Sequence, residues 1–329
     1  PMTIRRLQLE IVSAEALAPH VAELRALERS IQYPLEGGAD AFMIDHGPNY
    51  HPFFSAMGDA FFLIARDDVG LLGSLAGVFR RATLGQRLVR TVYFADLKLA
   101  PRARGQRVAQ RMAAHVLRAA IVERRFWRWQ LAYYAAMEGE RGTVSRSMRG
   151  GHAGLLLRPA ARLALYFAEP AKLATLVSTG APPPPPPGGL NLSATSDAAV
   201  SVGSQQQPAA IGQGATTAPQ RLALAVSTAG AKDLRLRSSG DPWPLWHLPA
   251  APTAWGASWA AYLSACGREL LTRPHGLACF AIDTRLERQV DWLAAAGLVP
   301  STFCAIHTLA LRPDRVRRAP WIHLATSEI

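Results

Sequence analysis

The run Asp96-Leu97-Lys98-Leu99-Ala100-Pro101-Arg102-Ala103-Arg104-Gly105-Gln106-Arg107-Val108-Ala109 holds the key to this chain. Thr91 to Leu99 reads as a strand, and Pro101 stops it because a proline cannot donate to a sheet ladder. Gln106 to Val122 reads as a helix: Val108, Met112, Val116 and Ile121 track one face, with Arg111 and Arg118 off it. A short basic loop with one glycine joins the two. A helix start leaves its first N–H groups unpaired and carries partial positive charge, so this junction is a natural seat for a pyrophosphate. Arg102, Arg104 and Arg107 add formal charge around it. The same residues also suit an ordinary strand-to-helix turn with solvated arginines.

Outward from this run, the first half alternates strand and helix. Leu7 to Val12 is a strand and Glu15 to Ile31 an amphipathic helix, with Leu17, Val21, Leu24 and Leu27 at helical spacing. Residues 33–58 are irregular and aromatic, punctuated by Gly37-Gly38 and Gly47-Pro48. Ala60 to Ala65 and Leu71 to Phe79 read as strands. After the helix come a strand at 126–136, a short helix at 140–149 and a strand from Leu163 to Phe167. Between about 178 and 220 the composition changes: Pro182 to Pro187 are followed by Gly188-Gly189 and a Ser/Thr/Gln/Gly-rich stretch with little to bury, which reads as a linker. Beyond it, strands at 221–227, 233–237 and 244–248, a helix from Trp255 to Leu270, a strand at 277–282, a helix at 285–296 and a strand at 302–311 echo the tail of the first order.

Composition bounds the function. With 329 residues, 49% of them hydrophobic and 18% charged, the chain has material for two cores and is not disordered as a whole. Its longest apolar runs, such as Phe61 to Ala65, fall short of a bilayer span, and the N-terminal stretch is interrupted by Gln8, Glu10 and Glu15 before a secretion signal could form. A cytoplasmic protein without a membrane partner is expected. Cys266, Cys279 and Cys304 are odd in number and widely spaced, which suits buried thiols. The net charge of +12 comes almost wholly from arginine, and no nucleic-acid motif accompanies it, so no nucleic-acid partner is expected.

Asp96-Leu97-Lys98-Leu99-Ala100-Pro101 followed by Arg104-Gly105-Gln106-Arg107-Val108-Ala109 resembles the signature of the GNAT superfamily of N-acetyltransferases. The resemblance implies an α/β fold with a mixed central sheet flanked by helices, here as two tandem domains. An acyl-CoA-binding domain would span 1–176, the Pro/Gly/Ser-rich linker 177–220, a degenerate GNAT-like domain 221–311 and a basic C-terminal tail 312–329. The degenerate half has prolines at Pro249 and Pro252 where the loop's free N–H groups would be needed. It is expected to complete and cover the first half, with the strand from Thr302 pairing across the domains.

The resemblance also implies a co-substrate, acetyl-CoA or another acyl-CoA, held by Leu97, Leu99, Arg104, Gly105, Gln106, Arg107, Val108 and Ala109. Arg107 stands where the family's motif has its central glycine. The tyrosine that often protonates the departing thiolate would align with Ser147, so Tyr134 is the substitute. Asp96 is the candidate base that takes the proton of the acceptor ammonium. Tyr33, Asp45, His46, Tyr50 and Phe54, from the irregular segment, are candidate acceptor contacts. Asp45-His46 and His51 otherwise read as loop polar groups, and no metal is expected. The implied reaction is direct transfer of an acetyl or other acyl group to a primary amine of a small molecule. The alternatives are an acyl carrier protein as donor, whose acidic surface suits the basic first half, and a non-catalytic acyl-CoA sensor or partner-binding module.

Overall fold

The computed structural model describes residues 6–34, 40–138, 158–176, 182, 184–193, 227–228, 230–243, 245–248, 258–273, 276–310 and 313–329. Strand β1 (Gln8–Ser13) leads through a tight 3-10 turn (Glu15–His20) into α1 (Val21–Arg29). The single helix expected over Glu15 to Ile31 is thus divided. Pro19 lacks an N–H and crowds the preceding turn, so regular α-helix starts only beyond it. Strands β2 (Tyr33–Pro34) and β3 (Ala41–Asp45) and the single turn α2 (Pro52–Ser55) then lie within the irregular segment. The long strands β4 (Asp59–Asp67), β5 (Gly70–Leu84) and β6 (Arg87–Leu99) form a meander that feeds α3 (Val108–Val122) and β7 (Leu131–Met137). β8 (Arg158–Ala168) and α4 (Pro170–Ala174) close the first half; the helix expected at 140–149 lies outside the described residues.

The second half contributes β9 (Leu190–Asn191), β10 (Asp233–Leu236), β11 (Leu245–His247), α5 (Ser258–Leu270), β12 (Leu277–Asp283), α6 (Glu287–Ala295), β13 (Thr302–Ala310), α7 (Pro313–Arg317) and β14 (Ile322–His323). Both halves enter one sheet, in the order β1-β4-β5-β6-β7-β13-β8-β12-β11. Neighbours along this path are antiparallel except for β6 with β7 and β11 with β12, and each parallel pair is bridged by a helix, α3 or α5. The tandem halves are interleaved. β13 lies between β7 and β8, pairing Cys304 to Ala310 with Met137 to Leu131 on one side and Thr302 to Thr308 with Leu165 to Arg158 on the other.

Described parts of the stretch expected as a linker and of the one expected as a basic tail pack into the core. Leu190 and Leu192, in the 177–220 stretch, are fully buried, and β9 pairs with the end of β5 and with β14. The proline run is polar-poor, but these leucines have apolar surface to bury, and they bury it. The 312–329 tail likewise folds back: Trp321, Ile322, Leu324 and Glu328 are buried, and β14 is held by Asp283, whose carboxylate accepts from the Ile322 N–H at 2.7 Å. The main core fills one face of the sheet, from Phe54, Phe62 and Tyr93 to Ile306 and Leu324. α3 covers the other face through Val108, Met112 and Val116 against Leu63, Leu72 and Ala103. Trp259, packed on Phe280 and Trp292, centres the core of the second half.

Candidate functional site

The parallel ladder of β6 with β7 runs from Thr91 opposite Leu131 to Phe94 opposite Tyr134 and ends there, while β6 continues to Leu99. Past Phe94 the two strands part. On its other edge β6 stays paired with β5, but with a bulge: Ser74 faces Lys98 and Ala76 faces Ala95, so Asp96 and Leu97 stand against the single Leu75. Within this bulge Asp96 takes the left-handed conformation, φ 55°, that few non-glycine residues adopt. The bulge re-aims the strand at the point where it leaves β7.

Leu97 and Leu99 turn toward α3 and pack with its core. Beyond them Pro101–Ala103 form one 3-10 turn, Gly105 has φ 76°, and Arg107, φ 59°, precedes the first helical residue. Arg107 therefore adopts in this chain the backbone region that a glycine favours. The first acceptor of the helical ladder is the Arg107 carbonyl, reached by the Arg111 N–H at 3.1 Å, so the amides of Val108, Ala109 and Gln110 precede the ladder. Arg102 does not face the seat: its guanidinium grips Asp67 at 2.6 and 2.9 Å and ties the loop to the β4–β5 turn. Gln106 donates to the Arg102 carbonyl at 2.7 Å. Arg104 and Arg107 are exposed at the mouth.

On the opposite face, Asp96 joins a buried network that sequence reasoning found only in part. Lys98 donates to Asp96, to Glu28 Oε1 at 2.8 Å and to the Tyr50 hydroxyl at 3.3 Å. Tyr50 donates to Asp96 in a short hydrogen bond, and His46 meets Glu28 twice, through Nδ1 at 2.6 Å and its backbone N–H at 3.1 Å. Burial alone would raise the Asp96 pKa, but the charges of Lys98 and His46 and the hydrogen bonds from Lys98 and Tyr50 outweigh it and hold the carboxyl below its ordinary range. Lys98 is likewise opposed by burial, yet Asp96 and Glu28 keep it above its ordinary value. Glu28, His46 and Asp96 bring three metal-type ligand atoms within 4.8 Å of one another, and the Lys98 ammonium already sits on both carboxylates. The missed members carried a faint signal: Glu28 lies on the apolar side of α1 beside Leu24 and Leu27, and Lys98 is one of only three lysines in the chain.

The other expected residues divide. Tyr33 stacks on Phe42, 5.2 Å between rings, and its hydroxyl feels Asp96, Lys98 and Glu28, although burial is the main reason its pKa reaches about 12. Tyr50 and Phe54 are fully buried, with the His46 ring tilted against both, 5.1 and 4.9 Å between centroids. Asp45 is turned elsewhere, to Arg235 of β10 at 3.2 Å, where the second half covers the irregular segment. Tyr134 lies at the fork of β6 and β7, half-buried, its pKa raised to about 12 by burial. It stacks on His307 of β13, 4.6 Å between rings. His307 is buried, its Nε2 has no hydrogen-bond partner, and burial lowers its pKa.

A second buried polar network marks the seam between the halves. The tail places Glu328 against Arg80, with Tyr93 donating to the Glu328 carbonyl at 2.6 Å. Lys232 reaches the Ile329 carbonyl, and burial lowers its pKa to about 8, an effect that Asp96 and Glu28 partly oppose.

No family model matches the chain and no curated protein matches its sequence. Solved structures do. N-myristoyltransferase of Saccharomyces cerevisiae with bound myristoyl-CoA aligns over 94% of this chain and 80% of its own, at 10% identity and a TM-score of 0.51. The fold is GNAT-like. NAA60 of Arabidopsis thaliana, with a bisubstrate analogue, matches 48% of this chain and 87% of its own at 12% identity and a TM-score of 0.35. An acyl-CoA N-acyltransferase from Pseudomonas aeruginosa matches 48% and 91% at 16% identity and a TM-score of 0.33. The alignment with N-myristoyltransferase, over 94% of the residues, runs through both halves of the interleaved sheet. Among the described residues no helix is long and apolar enough to cross a membrane.

Proposed function

We propose that this chain transfers an acyl group from acyl-CoA to an amine, with the reacting centre at the fork of β6 and β7. The observation that carries this reading is the end of the β6–β7 ladder at Phe94 and Tyr134, immediately before a loop that presents the amides of Val108, Ala109 and Gln110 with Arg104 and Arg107 beside them. An opened parallel pair offers strand N–H groups to an extended, amide-bearing arm, and the helix start offers charge to a pyrophosphate. The donor and its recognition thus belong to one continuous stretch, residues 94–110.

In the chemistry that follows, the acceptor amine attacks the thioester carbonyl, a C–N bond forms, the C–S bond breaks and CoA leaves as thiolate. The developing oxyanion is met by a strand N–H near Leu99. Asp96, ionised and held by Lys98 and Tyr50, attracts the acceptor ammonium and takes its proton. Tyr134, still protonated at neutral pH, gives a proton to the thiolate. A small amine is the acceptor favoured by the enclosure of the 33–58 segment: β10 of the second half pairs with β3, and Trp243 lies against Phe42, 6.0 Å between rings.

Titration calorimetry with acyl-CoAs of graded chain length, followed by a thiol-release assay with a panel of small amines, tests this. Binding with turnover is expected. Binding with no turnover on any amine would leave a sensor in its place, and absence of binding would remove the reading.

A further inference from the structure

The end of the sheet remote from the CoA loop has a different surface. α3 finishes with Ile121 75% and Val122 66% exposed, and the 3-10 turn that follows, Arg124–Arg128, carries Trp127 at 62%. The Trp127 indole N–H donates to the Ile121 carbonyl at 2.9 Å, so the ring lies beside the helix end with its one polar atom satisfied and most of its surface in solvent. Ile121 is therefore not on the buried face of Val108, Met112 and Val116 where its spacing placed it: the helix ends with it in solvent, one turn beyond the exposed Arg118. Arg124 and Arg125 are exposed next to them. The start of β6 joins this end of the sheet, because Gln130 and Arg90 exchange hydrogen bonds at 2.8 and 3.1 Å, and it brings exposed Arg87, Leu88 and Arg90. Within 87–90 and 118–130, Glu123 is the single acidic residue, and it is paired with Arg125.

We propose that this surface docks the protein on anionic phospholipid membrane, with Ile121, Val122 and Trp127 entering the headgroup layer and the arginines meeting lipid phosphates. Three observations select this occupant. Large apolar side chains that stand in solvent beside cations, one of them a tryptophan, match what an anionic bilayer interface binds. A second copy seated on the same patch would bring arginine against arginine, which a chain of net charge +12 does not favour. An acidic carrier protein would have to deliver its arm to the fork of β6 and β7, yet α3 spans Val108–Val122, so the patch lies about 22 Å from the loop end of that helix. Docked this way, the protein keeps the CoA mouth free.

The test is flotation of the full chain with phosphatidylcholine vesicles, with and without phosphatidylserine. The chain is expected to float with the phosphatidylserine vesicles, at least ~tenfold more than with phosphatidylcholine alone, and to be released by salt. Two variants, Ile121→Ser with Trp127→Ser and Arg118→Glu with Arg124→Glu, should each lower that partition by ~tenfold or more. All four residues are exposed, and unchanged thermal midpoints would show that the variants fold. Equal flotation with both vesicle types, or undiminished flotation of either variant, would overturn the proposal. So would a chain that ignores both vesicles and instead binds itself or an acyl carrier protein through the same residues.

Discussion

Arg80 and Glu328, 248 positions apart, form a two-pronged ion pair, Nη1 to Oε2 at 2.7 Å and Nη2 to Oε1 at 3.1 Å, with both side chains 1% exposed. Ser193 donates to the same carboxylate at 2.6 Å. The pair therefore fastens the tail to β5 and to the segment after the proline run. Glu328→Gln leaves a buried guanidinium without its countercharge and should lower stability by about 3–5 kcal/mol in urea denaturation. The double change Arg80→Met with Glu328→Leu should restore most of that loss, since it removes both charges from the apolar seam.

The proline-rich segment has its own test. A side chain at Gly189 would fall inside the Trp321 indole, whose N–H donates to the Pro186 carbonyl at 2.8 Å. Gly189→Ala should lower the thermal midpoint, by an amount equivalent to about 1–3 kcal/mol. A spacer with no contacts would tolerate it.

For the CoA loop, Arg104→Glu places a like charge against the pyrophosphate seat. Calorimetry should show acyl-CoA binding weakened by about tenfold or more. Because Arg104 is exposed, unfolding does not confound the result.

Asp96→Asn should lower kcat by ~10²-fold and leave the KM for acyl-CoA nearly unchanged, because proton removal rather than donor binding depends on it. Tyr134→Phe should also lower kcat, by ~10-fold or more. With its pKa at about 12, Tyr134 keeps its proton through the neutral and mildly alkaline range, so this loss should be independent of pH there.

Acid should loosen the seam. Burial, helped by Lys232, lowers the His247 pKa to about 3, and burial lowers that of His323 to about 4. Both stay neutral in the fold and bind protons in the unfolded chain below its ordinary value of 6.5. Their contribution is complete above pH 6.5 and declines as pH falls, to about 4 for His323 and about 3 for His247, at ~1.4 kcal/mol per pH unit for each histidine. Asp96 adds a further loss below 3.8, since its folded value is lower still. Urea midpoints measured from pH 7 to 4 should fall steadily, and His247→Gln should flatten the slope by roughly half.

The junction of β6, the loop and α3 is legible in the sequence because strand, proline, glycine and helical periodicity follow one another without interruption, and each acts locally. The partners of that junction are not. Glu28 reaches Lys98 across 70 positions, and nothing in either neighbourhood specifies the other. Leu190 and Leu192 are hidden by the prolines around them, whose composition argues for a spacer while two apolar side chains argue, too quietly, for a core. The repeat of β6–α3–β7 in β11–α5–β12 can be read as an order of elements, whereas the insertion of β13 between β7 and β8 is a long-range pairing, though the apolar strand from Thr302 does show that some partner is needed.

That insertion has a consequence for how the protein comes into being. β7 leaves the ribosome with the rest of the first half, but its neighbour β13 begins only at Thr302. At ~5–20 residues per second, the wait is on the order of ten seconds or longer. Through that interval the open edges of β7 and β8 have no native partner and are suited to pairing with any other exposed strand. Synthesis rate and chaperone occupancy, rather than final stability, should therefore set the yield of this protein in a foreign host.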